Sequence, residues 1–216
     1  MIPKKIHFIW SGPPMSRFAK RCIESFQQRN KGWEIRVWDE AAVASLPTMG
    51  KIAVEALRSA DLSFEVFADV AKPEIIFRNG GFYADCDIEC IDPLDALNHH
   101  PVVLGCKAKG QHSIEQPTTN FFGFPPEHPY LQEVFEDYKE NASTLLETPY
   151  HINRMIGAWR SAQIANPLPY VFNCSTFKTR FKSIFAGKVS CLIEKKRGEI
   201  FGLHFAKSTP KKGRGT

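Results

Sequence analysis

The sequence has no apolar run approaching the roughly 20 residues that a bilayer-crossing helix needs, so a helical membrane protein is not among its readings. None of its six cysteines, Cys22, Cys86, Cys90, Cys106, Cys174 and Cys191, forms a Cys-x-x-Cys pair or a metal-type Cys/His spacing. That speaks against a structural zinc and for buried free thiols in a reducing compartment. There is no internal repeat, no low-complexity linker and no nucleic-acid-binding motif, and a nucleic-acid partner is therefore not expected. The opening residues Met1 to Trp10 run into the turn Ser11-Gly12-Pro13-Pro14 before any long apolar stretch develops. They do not read as a signal peptide. The expectation is a soluble, cytoplasmic chain.

What the sequence does have is enough apolar residue, 43% over 216 positions, to bury the core of one compact domain. The 17 phenylalanines are mostly core filler, with some available to line a pocket. A net charge of +5 is concentrated towards the end, in Lys207, Lys211, Lys212 and Arg214. A domain over residues 1–206 and a basic tail or lid over 207–216 are expected. Such a tail is either solvated or a device for holding a diphosphate or an acidic membrane surface, which would make the protein peripheral at the inner face of the membrane.

Ile6 to Trp10 reads as a buried first strand, Ser16 as the cap of a helix running to about Arg29, and Glu34 to Trp38 as a second strand. In that strand Ile35 and Val37 alternate with Arg36 and Trp38. This β-α-β opening predicts an α/β fold with a mostly parallel central sheet flanked by helices. Further helices are expected over Ile52–Leu57, over Ser63–Arg78 with Pro73 kinking or dividing it, over Pro129–Glu140, and less sharply over Thr148–Gln163. Phe82-Tyr83-Ala84, Val102–Gly105, Asn120–Phe124 and Ile200–Phe205 read as strands. Asn79-Gly80-Gly81 ends the long helix with residues that tolerate positive φ.

The chemistry sits in Gly80-Gly81-Phe82-Tyr83-Ala84-Asp85-Cys86-Asp87-Ile88-Glu89-Cys90. Read as extended backbone, it puts Asp85, Asp87 and Glu89 on one side and Cys86, Ile88 and Cys90 on the other. Carboxylates so crowded need water or a cation. Hard ions such as Mn²⁺ or Mg²⁺ take oxygen ligands and commonly join one or two carboxylates to substrate phosphates. An Asp-x-Asp alone is a weak signal; here it follows a strand, a Gly-Gly turn and a helix.

The run from Phe67 to Asp87 resembles the signature of the DXD-containing sugar transferases of family 32. That group holds yeast Golgi initiating mannosyltransferases and bacterial capsule and lipopolysaccharide enzymes, and is related to the large clostridial glucosylating toxins. Ile2 to Gly12 is similar to its opening strand, and Leu203-His204-Phe205-Ala206-Lys207-Ser208 to its closing segment. The resemblance implies a GT-A fold and a retaining, metal-dependent transfer of a hexosyl group. The donor would be a nucleotide-sugar, UDP-linked before GDP-linked, and the acceptor a glycan or lipid-linked glycan in surface polysaccharide synthesis. It implies that Trp10 stacks on the base, where a core role is the competing reading. Asp69 and Lys72 would contact the donor sugar. Tyr83 and Asp85 would meet the base–ribose side, with Asp87 at the metal and Asn120 near the sugar. His204 and Ser208 would close over the metal or diphosphate. The catalytic set would be Asp87, Asp69 and Asn120, and the metal set Asp87, His204 and Asp85.

Three departures stand against the pattern. Lys72 replaces a common Arg and lacks its two-pronged grip. No Thr-Gly-Pro occurs near Thr148-Pro149-Tyr150, and Thr209 stands where a Trp is usual. Two other functions therefore stay open: a sugar- or cation-binding module without turnover, and an effector that glycosylates a host protein.

Overall fold

The computed structural model describes residues 1–58, 64–109, 113–142, 170–173 and 200–204. The predicted helix over Thr148–Gln163, the tail 207–216 and Ser208 lie outside them. The opening unit is β1 (Lys5–Ile9), α1 (Arg17–Arg29) and β2 (Glu34–Trp38). Ser16 caps α1 as its sequence position predicts, its hydroxyl accepting from the amide of Ala19 at 3.1 Å. Two more helices, α2 (Glu40–Ala44) and α3 (Met49–Arg58), lead to α4 (Phe64–Asn79). The remainder is β3 (Gly81–Ala84), β4 (Ile88–Cys90), β5 (Val103–Lys109), β6 (Ser113–Phe124), α5 (Pro129–Glu140), β7 (Tyr170–Asn173) and β8 (Ile200–His204). A 3-10 turn, Leu94–Ala96, joins β4 to β5. The short helix α2 and the strand β7 carry no clear sequence signal.

The eight strands of the described residues form one sheet in the order β2-β1-β3-β6-β5-β7-β8-β4. The pairs β1–β2, β1–β3, β5–β7 and β7–β8 are parallel, and β3–β6, β5–β6 and β4–β8 are antiparallel. The sheet is thus mixed, with parallel blocks on either side of β6. The alternation of side chains decides which core each residue joins. Ile6, Phe8, Phe82, Ala84, Val103 and Phe121 pack on the side of α1, with Ile23, Phe26 and Ile88. Tyr83, Leu104, Phe122 and Phe124 point the other way, onto the helices α3, α4 and α5.

β2 is an edge strand, and at its end the expected facing fails for Val37 and Trp38. Val37 is 41% exposed, while Trp38 is buried. The indole N–H of Trp38 donates to His7 Nδ1 at 3.1 Å, and the other ring nitrogen of His7 lies 3.0 Å from the Gly80 carbonyl. A polar partner inside the sheet outweighs the hydropathy of one aliphatic residue at its rim.

Helix α4 is buried almost all round, with Val66, Phe67, Val70, Ala71, Ile75 and Ile76 inaccessible. It runs through Pro73 as one element rather than two. Dense packing on every side sustains it despite the missing N–H at that position. Its buried Glu74 accepts from the amides of Thr48 and Met49, at 3.2 and 2.6 Å, and from Arg78 Nε at 2.7 Å. A carboxylate from this helix thereby caps the start of the preceding one, α3. The chain leaves α4 through Gly80 and Gly81, with φ of 62° and 96°. A Cβ on Gly81 would lie 2.6 Å from the Lys5 carbonyl, so only glycine lets β3 start this close to β1.

Candidate active site at the end of β3

β3 ends on Ala84 and the chain turns at once. The amide of Asp85 donates to the Asn120 carbonyl of β6 at 2.9 Å, and the amide of Ile88 closes the turn onto the Asp85 carbonyl at 3.1 Å. The Asp85–Asp87 segment is therefore a turn between β3 and β4, not the extended stretch that would align three carboxylates. Among the described residues no three His, Cys, Asp or Glu side chains gather as a metal cluster. Glu89 accordingly does not join Asp85 and Asp87.

The turn is fastened from below. Cys86 sends its thiol to the Ile9 carbonyl at 3.2 Å and packs against the core on the α1 side with Ile88 and Cys90. On the far side, Ser25 of α1 accepts from the Cys90 amide at 2.8 Å. Asn30 accepts from the Leu94 amide at 2.7 Å. Burial pushes the thiols of Cys22 and Cys90 up to about 12. Burial and the carboxylates of Asp85 and Asp87 push Cys86 up as well. These thiols stay protonated at neutral pH, which removes them as nucleophiles and leaves them as packing and anchoring groups.

The two carboxylates are held differently. The Tyr83 hydroxyl donates to Asp85 Oδ1 at 2.7 Å. The phenol is buried, and burial and the nearby Asp85 charge hold its pKa well above the usual value, so it remains a donor. Asp87 keeps its Oδ1 shielded from solvent. Two carboxylates at one turn, one of them pre-oriented, form a hard-oxygen donor set that fits Mn²⁺ or Mg²⁺ and leaves coordination positions for phosphate or further ligands.

Lys72 and Asp69 come from α4, on the face that Tyr83 also meets. The Lys72 ammonium pairs with Asp69 Oδ1. It also stands 5.1 Å from the centre of the Tyr83 ring. Lys72 and Tyr83, both expected at the donor, are each 1% exposed. Their polar ends meet Asp69 and Asp85 instead of an open surface. Asp69 keeps 14% of its side chain exposed.

Trp10 follows β1 and is partly buried. Its amide donates to the Trp38 carbonyl and its indole N–H to the Pro13 carbonyl, each at 2.9 Å. It is not a fully enclosed core residue. Asn120 is 7% exposed and sits where β6 meets the carboxylate turn. Antiparallel pairing sets His204, the last described residue of β8, opposite Ile88, which directly follows Asp87 in the chain. Parallel pairing sets Asn173 of β7 level with His204. Neither the Cys86 anchor nor Asn173 is singled out by sequence reasoning. The first has a sequence neighbour, Asp85, that draws attention away from it, and the second is identified only by sheet register.

Residues 16–104 match the family model described as a glycosyltransferase sugar-binding region containing a DXD motif. That span includes Asp69, Lys72, Tyr83, Asp85 and Asp87. A human alpha-1,4-N-acetylglucosaminyltransferase is 29% identical over 97 residues, 44% of this chain and 26% of that protein. An inositol phosphoceramide mannosyltransferase 1 of Schizosaccharomyces pombe is 23% identical over 141 residues, 63% of this chain and 42% of that protein. The chain thus aligns with less than half the length of these relatives. In three dimensions it is similar to the PaToxG glycosyltransferase, with a TM-score of 0.55 and 11% identity over 92% of this chain and 78% of that one. The α/β architecture with its mixed, helix-flanked sheet is the GT-A one. Over residues 16–104 the chain is thus similar to glycosyltransferases whose sugar-binding region contains a DXD motif.

Proposed function

We propose that the protein transfers a hexosyl group from a nucleotide-sugar, UDP-linked by preference, to a glycan or lipid-linked glycan, with retention at the anomeric carbon. The observation that carries this reading is the turn at the end of β3, which carries both Asp85 and Asp87 within the matched family region. Asp85 and Asp87 would hold a divalent cation, which supplies charge neutralisation for a diphosphate leaving group. The chain's own residues do the rest. Trp10 offers a ring face to the base, its indole N–H already bound within its own loop. Asp69 and Asn120 lie on the two elements, α4 and β6, that flank the turn, and would orient the sugar. Asp69 is paired with Lys72 and is a poor nucleophile for a double displacement. That favours departure and attack on the same face of the sugar, with the developing charge held by groups fixed in advance. A role in surface polysaccharide synthesis at the inner face of the membrane, with the basic tail 207–216 as contact, extends the same reading.

The test is a panel of nucleotide-sugars with Mn²⁺, read by released nucleoside diphosphate and by thermal shift. A true donor raises the melting temperature through binding to the native state alone. One sugar should give both turnover and a shift. A panel giving neither, with Mn²⁺ and with Mg²⁺, would rule the reading out.

A further inference from the structure

A buried lysine, a buried phenol and two acidic groups lie in one line between α4 and β3. Lys72 bonds Asp69 one turn earlier on the same helix and stands against the face of Tyr83, whose hydroxyl bonds Asp85. Both middle residues are 1% exposed. At a surface, a lysine and a tyrosine would contact a ligand directly. Here packing by Val70, Ala71 and Phe122 of the same core encloses them, and Tyr83 lies tilted against Phe122 with ring centres 5.4 Å apart. Their polar atoms have fixed partners, and those partners are two carboxylates that keep partial exposure.

We propose that Lys72 and Tyr83 are positioning residues, acting on the donor and cation only through Asp69 and Asp85, whose orientations they fix as one connected unit. This deepens the proposed function and rests on it. The departure from arginine at position 72 then has a physical reading. A guanidinium would need room for its planar fork, whereas a compact ammonium fits between one carboxylate and an aromatic face. The helix contributes the sugar-side carboxylate and the strand the cation-side carboxylate. The Lys72–Tyr83 contact sets the spacing between them, so the site is assembled before any ligand arrives.

Tyr83→Phe removes one hydroxyl and leaves the ring. Partners that orient a metal ligand typically contribute about 10–100-fold to metal affinity or activity. Titration of the full chain with Mn²⁺ alone, followed calorimetrically, should show affinity weakened by at least about 10-fold in Tyr83→Phe, with the melting temperature unchanged. Lys72→Met should lower kcat for the donor more than it raises KM, and Lys72→Arg should recover little, for want of space. The double variant Lys72→Met/Tyr83→Phe should lose less than the product of the single losses, as expected for one connected unit. Should Lys72→Met fail to fold, the Mn²⁺ titration of Tyr83→Phe still decides the matter. Affinity within twofold of the parent would overturn the proposal. Asp87→Ala separates the two levels: if it abolishes Mn²⁺ binding while Tyr83→Phe leaves it intact, positioning is refuted and the metal reading stands. If Asp87→Ala also binds Mn²⁺ as the parent does, the metal reading itself fails.

Discussion

Stability should fall with acid in a window set by one histidine. His7 is 1% exposed and wedged between β2 and the α4–β3 turn. The Trp38 indole can only donate, so His7 Nδ1 must accept, and the ring proton resides on Nε2, which donates to the Gly80 carbonyl. The neutral ring therefore satisfies both neighbours. A second proton on Nδ1 would set two donors against each other. Burial is the largest influence and holds the pKa down to about 4, against 6.5 for a free histidine, while the Gly80 contact and Glu34 pull the other way. The unfolded chain takes up its proton near 6.5 and the folded chain only near 4. The neutral-ring contribution is complete above pH 6.5 and is lost as the pH falls towards 4, at about 1.4 kcal/mol per unit and about 3 kcal/mol in all. The comparison is urea unfolding of the parent and of His7→Gln from pH 7.5 to pH 4. Gln keeps a donor and an acceptor but does not titrate. The variant should be less stable at neutral pH and should show a slope shallower by about 1 kcal/mol per pH unit in that window. Parallel curves would refute the tautomer assignment. Since His7 is in register with Tyr83 on the neighbouring strand, the same acid window should loosen the floor of the site.

Asp87→Ala should abolish Mn²⁺-dependent donor turnover while the far-ultraviolet spectrum and melting point stay near the parent's, because a partly buried turn residue contributes little packing. Trp10→Ala should weaken UDP binding by roughly 1–3 kcal/mol, the scale of stacking on one base, with a smaller stability loss than the roughly 3–5 kcal/mol of an enclosed aromatic. Calorimetry and melting on the same variant tell these apart. Gly81→Ala, at φ 96° and with its new Cβ 2.6 Å from the Lys5 carbonyl, should cost about 1–3 kcal/mol in denaturant unfolding. Glu74→Gln should destabilise α3 and the Arg78 pair together by about 1–3 kcal/mol, visible as faster amide exchange at Thr48 and Met49.

Much of the local structure was legible because local chemistry decides it. Ser16 ahead of α1, His128-Pro129 ahead of α5 and Gly80-Gly81 behind α4 mark their boundaries through capping and backbone freedom that act within a few residues. The paired aspartates, read with the strand, Gly-Gly turn and helix before them, pointed to a hard-oxygen site. The direction in which each residue points was settled elsewhere. Trp38 is buried where His7, on another strand, offers it an acceptor, and Val37 stays exposed at the edge of the described sheet. Pro73 stays inside one helix because packing around α4 outweighs one lost hydrogen bond. Asp85 and Asp87 leave the strand because the Asp85 amide is claimed by β6 and its carbonyl by Ile88. Tyr83 and Lys72 face each other, and His204 comes level with Ile88, through pairings that span large separations in the chain. A sequence fixes which groups are available over a few residues. Burial and long-range pairing choose their partners, because only the folded chain can compare the cost of enclosing a charge with the gain from the contact waiting for it.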